Sequence, residues 1–373
     1  MINVLYVVTS CKKVGPTQQL LNLIMNLDRE IFTPYLMTLY KEANDGTSQL
    51  EKFKPYIAEH IYVPMDKLKI LVGTTGKIKN AIMGIKPDII HSAGVFPDYL
   101  ISRIGFANHV TTLRNYMFDD YIAKFGVLRG MVLSCLQLMA IYRMKRVWVC
   151  SKSLSDIYKR KLGRFFPFIQ NGINTVFYYS ADDINQNEVR RRLNLPVDKL
   201  IYVYSGQIGK RKNQSYLADI FSGTPELKER LVLFLGEGQM LGSWKAKYEE
   251  NDNVMFLGEV DDVRDYLIAA DVYVSSSLSE GLPNGVLEAM AIGKAVVLSD
   301  IPQHQEVLCG DNRIGRLFSL DGKEQCIEAI LDIDQNTAKE MGKNARACVE
   351  KFFSAKVMSK KYQKEYILLT KGR

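Results

Sequence analysis

The stretch DVYVSSSLSEGLPNGVLEAMAIGKAVVLSD, residues 271–300, decides how this chain is read. DVYVSSS (271–277) and KAVVLSD (294–300) are apolar runs of strand length. Between them Gly281, Pro283 and Gly285 make a turn. A helical run through VLEAMAIG then starts near Asn284 or Gly285 and ends at Gly293. Strand, turn, helix and strand in that order make a parallel βαβ unit. Glu280 stands in the turn, and Glu288 lies about one turn into the helix, so both carboxylates can face one ligand from two heights. An ionised carboxylate only accepts hydrogen bonds, so each can hold two hydroxyl donors. Taken singly, Glu280 reads better as a surface loop acid, and Glu288 as an ordinary helix glutamate. The first amides of the helix point toward the strand ends, where phosphate or sugar oxygens can be held.

The same pattern extends in both directions. LIYVYSG (200–206), LVLFLG (231–236) and VMFLGEV (254–260) read as further strands separated by helical patterns. Upstream, NVLYVVTS (3–10), YLMTLY (35–40), PDIIHSA (87–93), HVTTLRN (109–115), RVWVCS (146–151) and FPFIQNG (166–172) do likewise. QQLLNLIMNL (18–27) repeats apolar residues at helical spacing. Apolar strands alternating with helices imply parallel sheets covered on both faces. The chain has 373 residues, long for one core, so the expectation is two doubly wound α/β units facing a central cleft. The polar segment NGINTVFYYSADDINQ (171–186) joins them, placing the units at 1–172 and 173–352. The amphipathic tail 354–369 can pack on either.

An apolar content of 47% and a charged content of 24% suit a globular protein, and no run reaches the ~18–20 apolar residues of a membrane span. MINVLYVVTS lacks a basic leader and reads as a buried strand rather than a signal peptide. The six cysteines are scattered with no C-x-x-C pair, which argues against a disulfide framework or zinc site and for a reducing, cytoplasmic setting. Net charge is +8 and unevenly placed: residues 124–164 carry ten cations and one acid, Asp156, around the apolar run MVLSCLQLMAIY. Such a segment suits nucleic acid, an anionic membrane surface or phosphorylated substrates, or simply a solvated helix face. No nucleic-acid motif accompanies it.

Ligands of open parallel sheets bind outside the carboxyl ends of the strands. After the first strand, TSCKKVGPTQQL (9–20) has a Gly15-Pro16 turn ahead of a helix near Thr17, where a phosphate can approach the backbone. After strand 200–206, SGQIGKRKNQ (205–214) sets Gly206, Gly209, Lys210, Arg211 and Lys212 ahead of a helix. Cations plus helix-start amides answer the charge of a pyrophosphate.

The order SEGLPNGVLEAMAIGKAVVLSD after a strand ending DVYVSSS resembles glycosyltransferase family 4, the retaining nucleotide-sugar transferases of GT-B fold. The E-x7-E pattern of that family stands at Glu280 and Glu288, and GQIGKRKNQ occupies the place of its phosphate loop. FLGEG (234–238), FLGEVDDVRDYLIAAD (256–271) and NGIN (171–174) also match family features. The resemblance covers most of the chain and is stronger in the second half. It implies that Glu280 approaches the donor sugar and Glu288 holds the ribose hydroxyls. It further implies that Gly206, Gln207, Lys210 and Lys212 serve the diphosphate, as do backbone amides from Leu282 through Pro283 and Asn284 to Gly285. The base falls near Gly258 to Val260, Gly15 faces the diphosphate from the first domain, and the tail from about 353 to 373 returns to that domain.

Two positions depart from the family. Gln207 stands where many members have an arginine, and Arg114 stands where many have a cleft histidine. An arginine cannot act as a base at neutral pH but can bind a phosphate or an acceptor hydroxyl. Catalysis is therefore expected to rest on positioning and on charge stabilisation of the departing diphosphate. His91 and His304 follow strands and are acceptor-site candidates, as is Asp119, for which a helix-start cap is the alternative. No D-x-D pair stands where a metal-dependent transferase wants one, so no essential metal is expected, and no cofactor beyond the nucleotide sugar.

The implied activity is transfer of a sugar from a UDP- or GDP-sugar to a glycan, here a lipid-linked or cell-surface acceptor. The protein would be cytoplasmic and peripheral on the membrane through 124–164. The alternatives are a nucleotide-sugar epimerase of the same fold and a degenerate, non-catalytic scaffold. A dinucleotide oxidoreductase lacks its G-x-G-x-x-G after strand 3–10 or 200–206.

Overall fold

The structure is a computed structural model that describes residues 1–65, 75–182 and 184–371. It divides into two compact units, Met1–Gly172 with Ala355–Arg373, and Ile173–Ser354.

In the first unit the strands are β1 (Ile2–Val8), β2 (Phe32–Thr38), β3 (Glu59–Tyr62), β4 (Ile89–Ala93), β5 (His109–Leu113) and β6 (Arg146–Val149). They form one parallel sheet in the order β3-β2-β1-β4-β5-β6. Successive residues of a strand face opposite sides. Val4, Tyr6 and Val8 accordingly join Leu20 and Ile24 of helix Gly15–Met25 and Tyr362 and Tyr366 of helix Ala355–Lys371. Leu5 and Val7 join Leu100 and Ile101 of helix Val95–Ile104 on the other face. Burial on both faces is why β1 reads as an unbroken apolar run. Burying an apolar side chain contributes ~1.5–3 kcal/mol, and Met358 and Leu369 join the two tyrosines in holding the last helix to this unit. Polar bonds fix its register: Ser359 Oγ donates to the Leu23 carbonyl at 3.1 Å, and Gln363 Nε2 to that of Asn26 at 3.0 Å.

The second unit has β7 (Leu200–Ser205), β8 (Arg230–Leu235), β9 (Val254–Gly258), β10 (Val272–Ser275), β11 (Ala295–Ser299) and β12 (Gly315–Phe318). The sheet is again parallel, in the order β12-β11-β10-β7-β8-β9. The chain order reverses between β10 and β7, which makes that gap the topological switch point. A buried ion pair ties the two strands at their starts. Arg190 Nη2 lies 2.7 Å from Asp271 Oδ2, which also accepts the Ile201 amide at 2.7 Å. Arg190 Nε donates to the Ala269 carbonyl at 2.9 Å, so the guanidinium is satisfied despite its burial.

Two edge strands carry no clear sequence pattern. EHIY of β3 and GRLF of β12 each pair on one side only and are partly exposed, so neither needs an apolar run. Conversely, FPFIQNG is not a strand. Its pairing stops at a single bridge from Phe168 to Val149, flanked by Pro167, which has no amide to donate.

Candidate active site

The loops that follow β7 and β10 meet outside the strand ends at the switch point of the second unit. Three hydrogen bonds zip them together, and a fourth braces the first loop on β7. The Leu278 amide donates to the Arg211 carbonyl at 2.9 Å, and Arg211 Nη1 donates to the Ser279 carbonyl at 2.6 Å. Ser276 Oγ donates to the Asn213 carbonyl at 2.7 Å, and the Tyr204 hydroxyl to that of Lys212 at 2.8 Å.

This zipper sets three donors on one carboxylate. Lys212 Nζ lies 2.6 Å from Glu280 Oε1, Ser277 Oγ donates to the same oxygen at 2.6 Å, and Arg211 Nη1 lies 3.0 Å from Oε2. The Glu280 side chain is only 7% exposed. Burial alone would raise its pKa, but the Lys212 ammonium and Arg211 guanidinium outweigh burial and hold it at about 2. Glu280 is therefore a fixed anion. A carboxylate offers about four lone-pair sites; three are taken, which leaves Oε2 room for one further donor.

Glu288 lies in helix Asn284–Ile292, which begins directly after Pro283. Its environment is the opposite of that of Glu280. Burial pushes its carboxyl up to about 7, against the hydrogen bond from Tyr178 and the charge of Lys212. Two carboxyls on one short segment thus titrate far apart, a signature of functional sites. Both act electrostatically on the buried Tyr273, whose hydroxyl donates to the Ser205 carbonyl at 3.0 Å. The helix start is pressed against that tyrosine. A Cβ at Gly285 would stand 2.5 Å from the Tyr273 hydroxyl, so no larger residue fits without displacement.

The loops after β7 and β8 also touch backbone to backbone. The Gly206 amide donates to the Leu235 carbonyl and the Ile208 amide to that of Glu237, both at 2.9 Å. A Cβ at Gly238 would fall 1.9 Å from the Ile208 carbonyl, which explains the second glycine of FLGEG. Beyond these, the Glu259 amide donates to Glu237 Oε1 at 3.3 Å, ordering the turn after β9 that holds Gly258 and Val260. Gln214 closes the phosphate-loop candidate by accepting the Gly209 amide at 3.2 Å and donating to the Gln207 carbonyl at 3.1 Å. Gln207 and Lys210 are exposed on this loop, and Leu282 and Pro283 are buried in the turn.

Several of these residues escape the sequence reading. Tyr178 sits in the polar segment between the two units, which has no periodicity to mark it. Ser277 ends a run of three serines that begins with the last residue of β10, a signal that could have been used. His304 frames the site from behind: its Nδ1 lies 2.8 Å from the Ser299 carbonyl, and Ser299 Oγ donates to the Ser277 carbonyl at 2.7 Å. Burial lowers the His304 pKa to about 4, so the ring is neutral. It is buried in the core, with its Nε2 unpartnered among the described residues, rather than exposed to an acceptor.

In the first unit His91 requires the same correction. It is buried within β4, with Nδ1 2.6 Å from the Tyr366 hydroxyl and Nε2 3.2 Å from Thr112 Oγ1. Burial, Arg114 and His109 push its pKa down to about 3. A central strand covered on both faces turns a histidine into packing, and both nitrogens are taken. Arg114 follows β5, is partly buried, and its guanidinium donates to the Asn171 side-chain carbonyl. Asp119 is exposed in the first turn of helix Met117–Phe125 and pairs with Lys161 at 2.7 Å. Gly15 begins helix Gly15–Met25 and is exposed at its N-terminus.

Residues 185–347 match the family model for glycosyl transferases group 1, a span that contains Arg211, Lys212, Glu280 and Glu288 but not Tyr178. Over 98% of both chains the protein is 22% identical to the Escherichia coli O-antigen biosynthesis glycosyltransferase WclY. Over 48% of each it is 26% identical to an E. coli UDP-Gal:alpha-D-GlcNAc-diphosphoundecaprenol alpha-1,3-galactosyltransferase. Its fold matches that of Anabaena HepE in complex with UDP, with a TM-score of 0.78, 16% identity, and coverage of 98% of this chain and 99% of the other. The second unit thus belongs to the glycosyl transferases group 1, and the chain has the GT-B fold. It is a glycosyltransferase whose relatives serve polysaccharide biosynthesis.

Proposed function

We propose that the protein is a retaining, metal-independent hexosyltransferase that takes its sugar from a UDP- or GDP-sugar and delivers it to a lipid-linked glycan. The observation that carries this reading is the paired behaviour of Glu280 and Glu288: one is a fixed anion between two cations, the other a carboxyl poised near neutrality. In the transfer the C1–O bond to the diphosphate breaks, its electron pair stays on the phosphate oxygen, and the acceptor oxygen bonds C1 on the same face, as its hydroxyl proton is released to water. The leaving diphosphate gains one negative charge. Lys212 and Arg211, already held by Glu280, meet that charge with no reorganisation. The free lone pair of Glu280 Oε2 takes one sugar hydroxyl, and Glu288 accepts from the ribose. On the first unit, Arg114, Asp119 and Gly15 are the groups this reading offers to acceptor and diphosphate. The two cations do the electrostatic work, so turnover is expected to persist in EDTA.

The acceptor class rests on a second surface. Helix Val127–Ile141 exposes Val127 (70%), Leu128 (80%), Met131, Val132, Cys135 and Met139, with Tyr142 just beyond. Residues 128, 131, 132, 135, 139 and 142 follow helical spacing and make one apolar stripe. Arg129, Arg143, Lys145 and Arg146 are exposed beside it. Soluble surfaces rarely leave such a stripe bare, and an apolar face flanked by cations suits an anionic membrane surface. No helix among the described residues is long and apolar enough to cross a membrane, so the contact would be peripheral. The reading is tested by a thermal-shift screen of nucleotide diphosphates followed by donor turnover with undecaprenyl-type glycolipids. UDP or GDP is expected to stabilise the protein, on the order of 2.7 kcal/mol at a hundredfold excess over Kd. Indifference to every nucleotide would overturn it.

A further inference from the structure

Cys309 and Cys348, 39 residues apart in sequence, bring their sulfurs to 3.7 Å in the second unit. Nothing in the transfer chemistry uses them. Cys309 is exposed at the end of helix Pro302–Leu308, and Cys348 is the buried last residue of helix Gln335–Cys348. We propose that Cys309 and Cys348 are an oxidation site, a dithiol that a hydroperoxide converts to an intrachain disulfide.

Three features support this. First is geometry: closing 3.7 Å to the ~2.05 Å of a disulfide needs a shift of roughly 1.7 Å, within reach of a turn of the exposed Cys309 side chain. Second is the division of labour. The Cys348 thiol donates to the Cys309 sulfur, which lowers the Cys309 pKa and raises that of Cys348. The exposed sulfur, which also approaches the Glu306 carbonyl at 3.7 Å, is thus the more easily ionised of the two and the one an oxidant reaches, while the buried one waits to resolve. Third is the backbone: Cys309 adopts φ +53°, a left-handed conformation uncommon for a side chain of its kind. It turns the thiol at the helix end toward Cys348, whose own sulfur also approaches the Val307 carbonyl at 3.9 Å.

The chemistry balances with one hydroperoxide. The Cys309 thiolate attacks the O–O bond, an S–O bond forms, and an alcohol (or water from hydrogen peroxide) leaves on taking up a proton. The Cys348 sulfur then attacks the Cys309 sulfur, the S–O bond breaks, and hydroxide departs with the Cys348 proton as water. Two thiols and one hydroperoxide give one disulfide, one alcohol and one water; the two electrons lost by sulfur reduce the peroxide. The bond would pin the end of helix Pro302–Leu308, the helix that carries His304 behind the Glu280 loop. Oxidation would therefore fasten the frame of the site rather than touch its reacting groups. The proposal does not depend on which sugar or acceptor the protein uses.

The test treats the full chain with stoichiometric hydrogen peroxide and counts thiols in denaturant, followed by peptide mapping without reduction. The expected result is a fall from six thiols to four, with Cys309 and Cys348 recovered in one linked peptide that dithiothreitol separates. In Cys348→Ser, Cys309 is expected to stop at the sulfenic acid and to be trapped by dimedone. In Cys309→Ser, Cys348 is expected to stay reduced. The proposal fails if wild-type Cys309 accumulates as sulfenic or sulfinic acid while Cys348 remains a thiol. It also fails if Cys309 links two chains instead.

Discussion

Lys212 and Glu280 form a 2.6 Å ion pair across the switch point of the second sheet, each the product of a different strand-to-helix loop. The pair joins the loop that offers cations to the turn that offers acceptors, so a change in either residue is felt by both.

Replacing Lys212 by Met leaves Glu280, only 7% exposed, with Arg211 as its one remaining cation and Ser277 as a neutral donor. The cost is expected to be ~1–3 kcal/mol in urea unfolding, since a buried charge loses its closest partner. Turnover at saturating donor should fall ~10²–10³-fold, the loss typical of one stabilising group at a charge-developing centre. Lys212→Arg should recover part of the stability.

The two glutamates predict opposite pH trends in stability. The folded pKa of Glu280, about 2, lies below the usual value of 4.5. Its contribution is present above pH 4.5 and is lost as pH falls toward 2, on the order of 3 kcal/mol. The folded pKa of Glu288, about 7, lies above 4.5. In the window between, the folded state holds the proton more tightly, so stability falls as pH rises from 4.5 to 7. Allowing for its partial exposure, this amounts to about 2 kcal/mol. Denaturant midpoints from pH 3 to 8 should therefore gain acid tolerance in Glu280→Gln and lose their decline toward neutral pH in Glu288→Gln.

Gly285→Ala should destabilise by ~1–3 kcal/mol, because its Cβ meets the Tyr273 hydroxyl. Tyr273→Phe in the same chain removes the oxygen in question and should restore part of the loss. Non-additivity in that double-mutant cycle is the readout.

Leu128→Asp with Val132→Asp puts charge in the exposed apolar stripe of the first unit. Sedimentation with vesicles rich in anionic lipid is expected at low salt for the wild type and to weaken as salt is added. The double variant should stay in the supernatant while keeping its nucleotide affinity. Wild-type failure to sediment at low salt would count against a membrane role.

Much of the fold is legible because covered parallel strands must be apolar on both faces and turns must hold Gly and Pro. The stretch from β10 through helix Asn284–Ile292 to β11 carries both signals and is read within a few residues. The edge strands β3 and β12 carry neither, since one side of each meets solvent. At the site, Glu280 and Lys212 stand in motifs, but their contact depends on strand order, which no local pattern encodes. Tyr178 reaches Glu288 from a segment without periodicity, about 110 residues upstream. His91 and His304 show the reverse problem: a polar residue near a strand end reads as a ligand until its burial is seen, with Tyr366 and Thr112 against His91 and Ser299 against His304 Nδ1. Cys309 and Cys348 likewise look unrelated until two helix ends bring them together.

The central claim is that Glu288 holds the nucleotide and Glu280 serves the transfer. Its most direct test is calorimetric titration of UDP and GDP into wild type, Glu288→Gln and Glu280→Gln, paired with donor turnover by the same preparations. The account predicts that Glu288→Gln weakens binding of the preferred nucleotide by ~10-fold or more, in line with the 1–3 kcal/mol of a lost charged acceptor. It predicts that Glu280→Gln loses less nucleotide affinity than Glu288→Gln yet turns over ~10²-fold more slowly. Transfer left intact by both substitutions would contradict it.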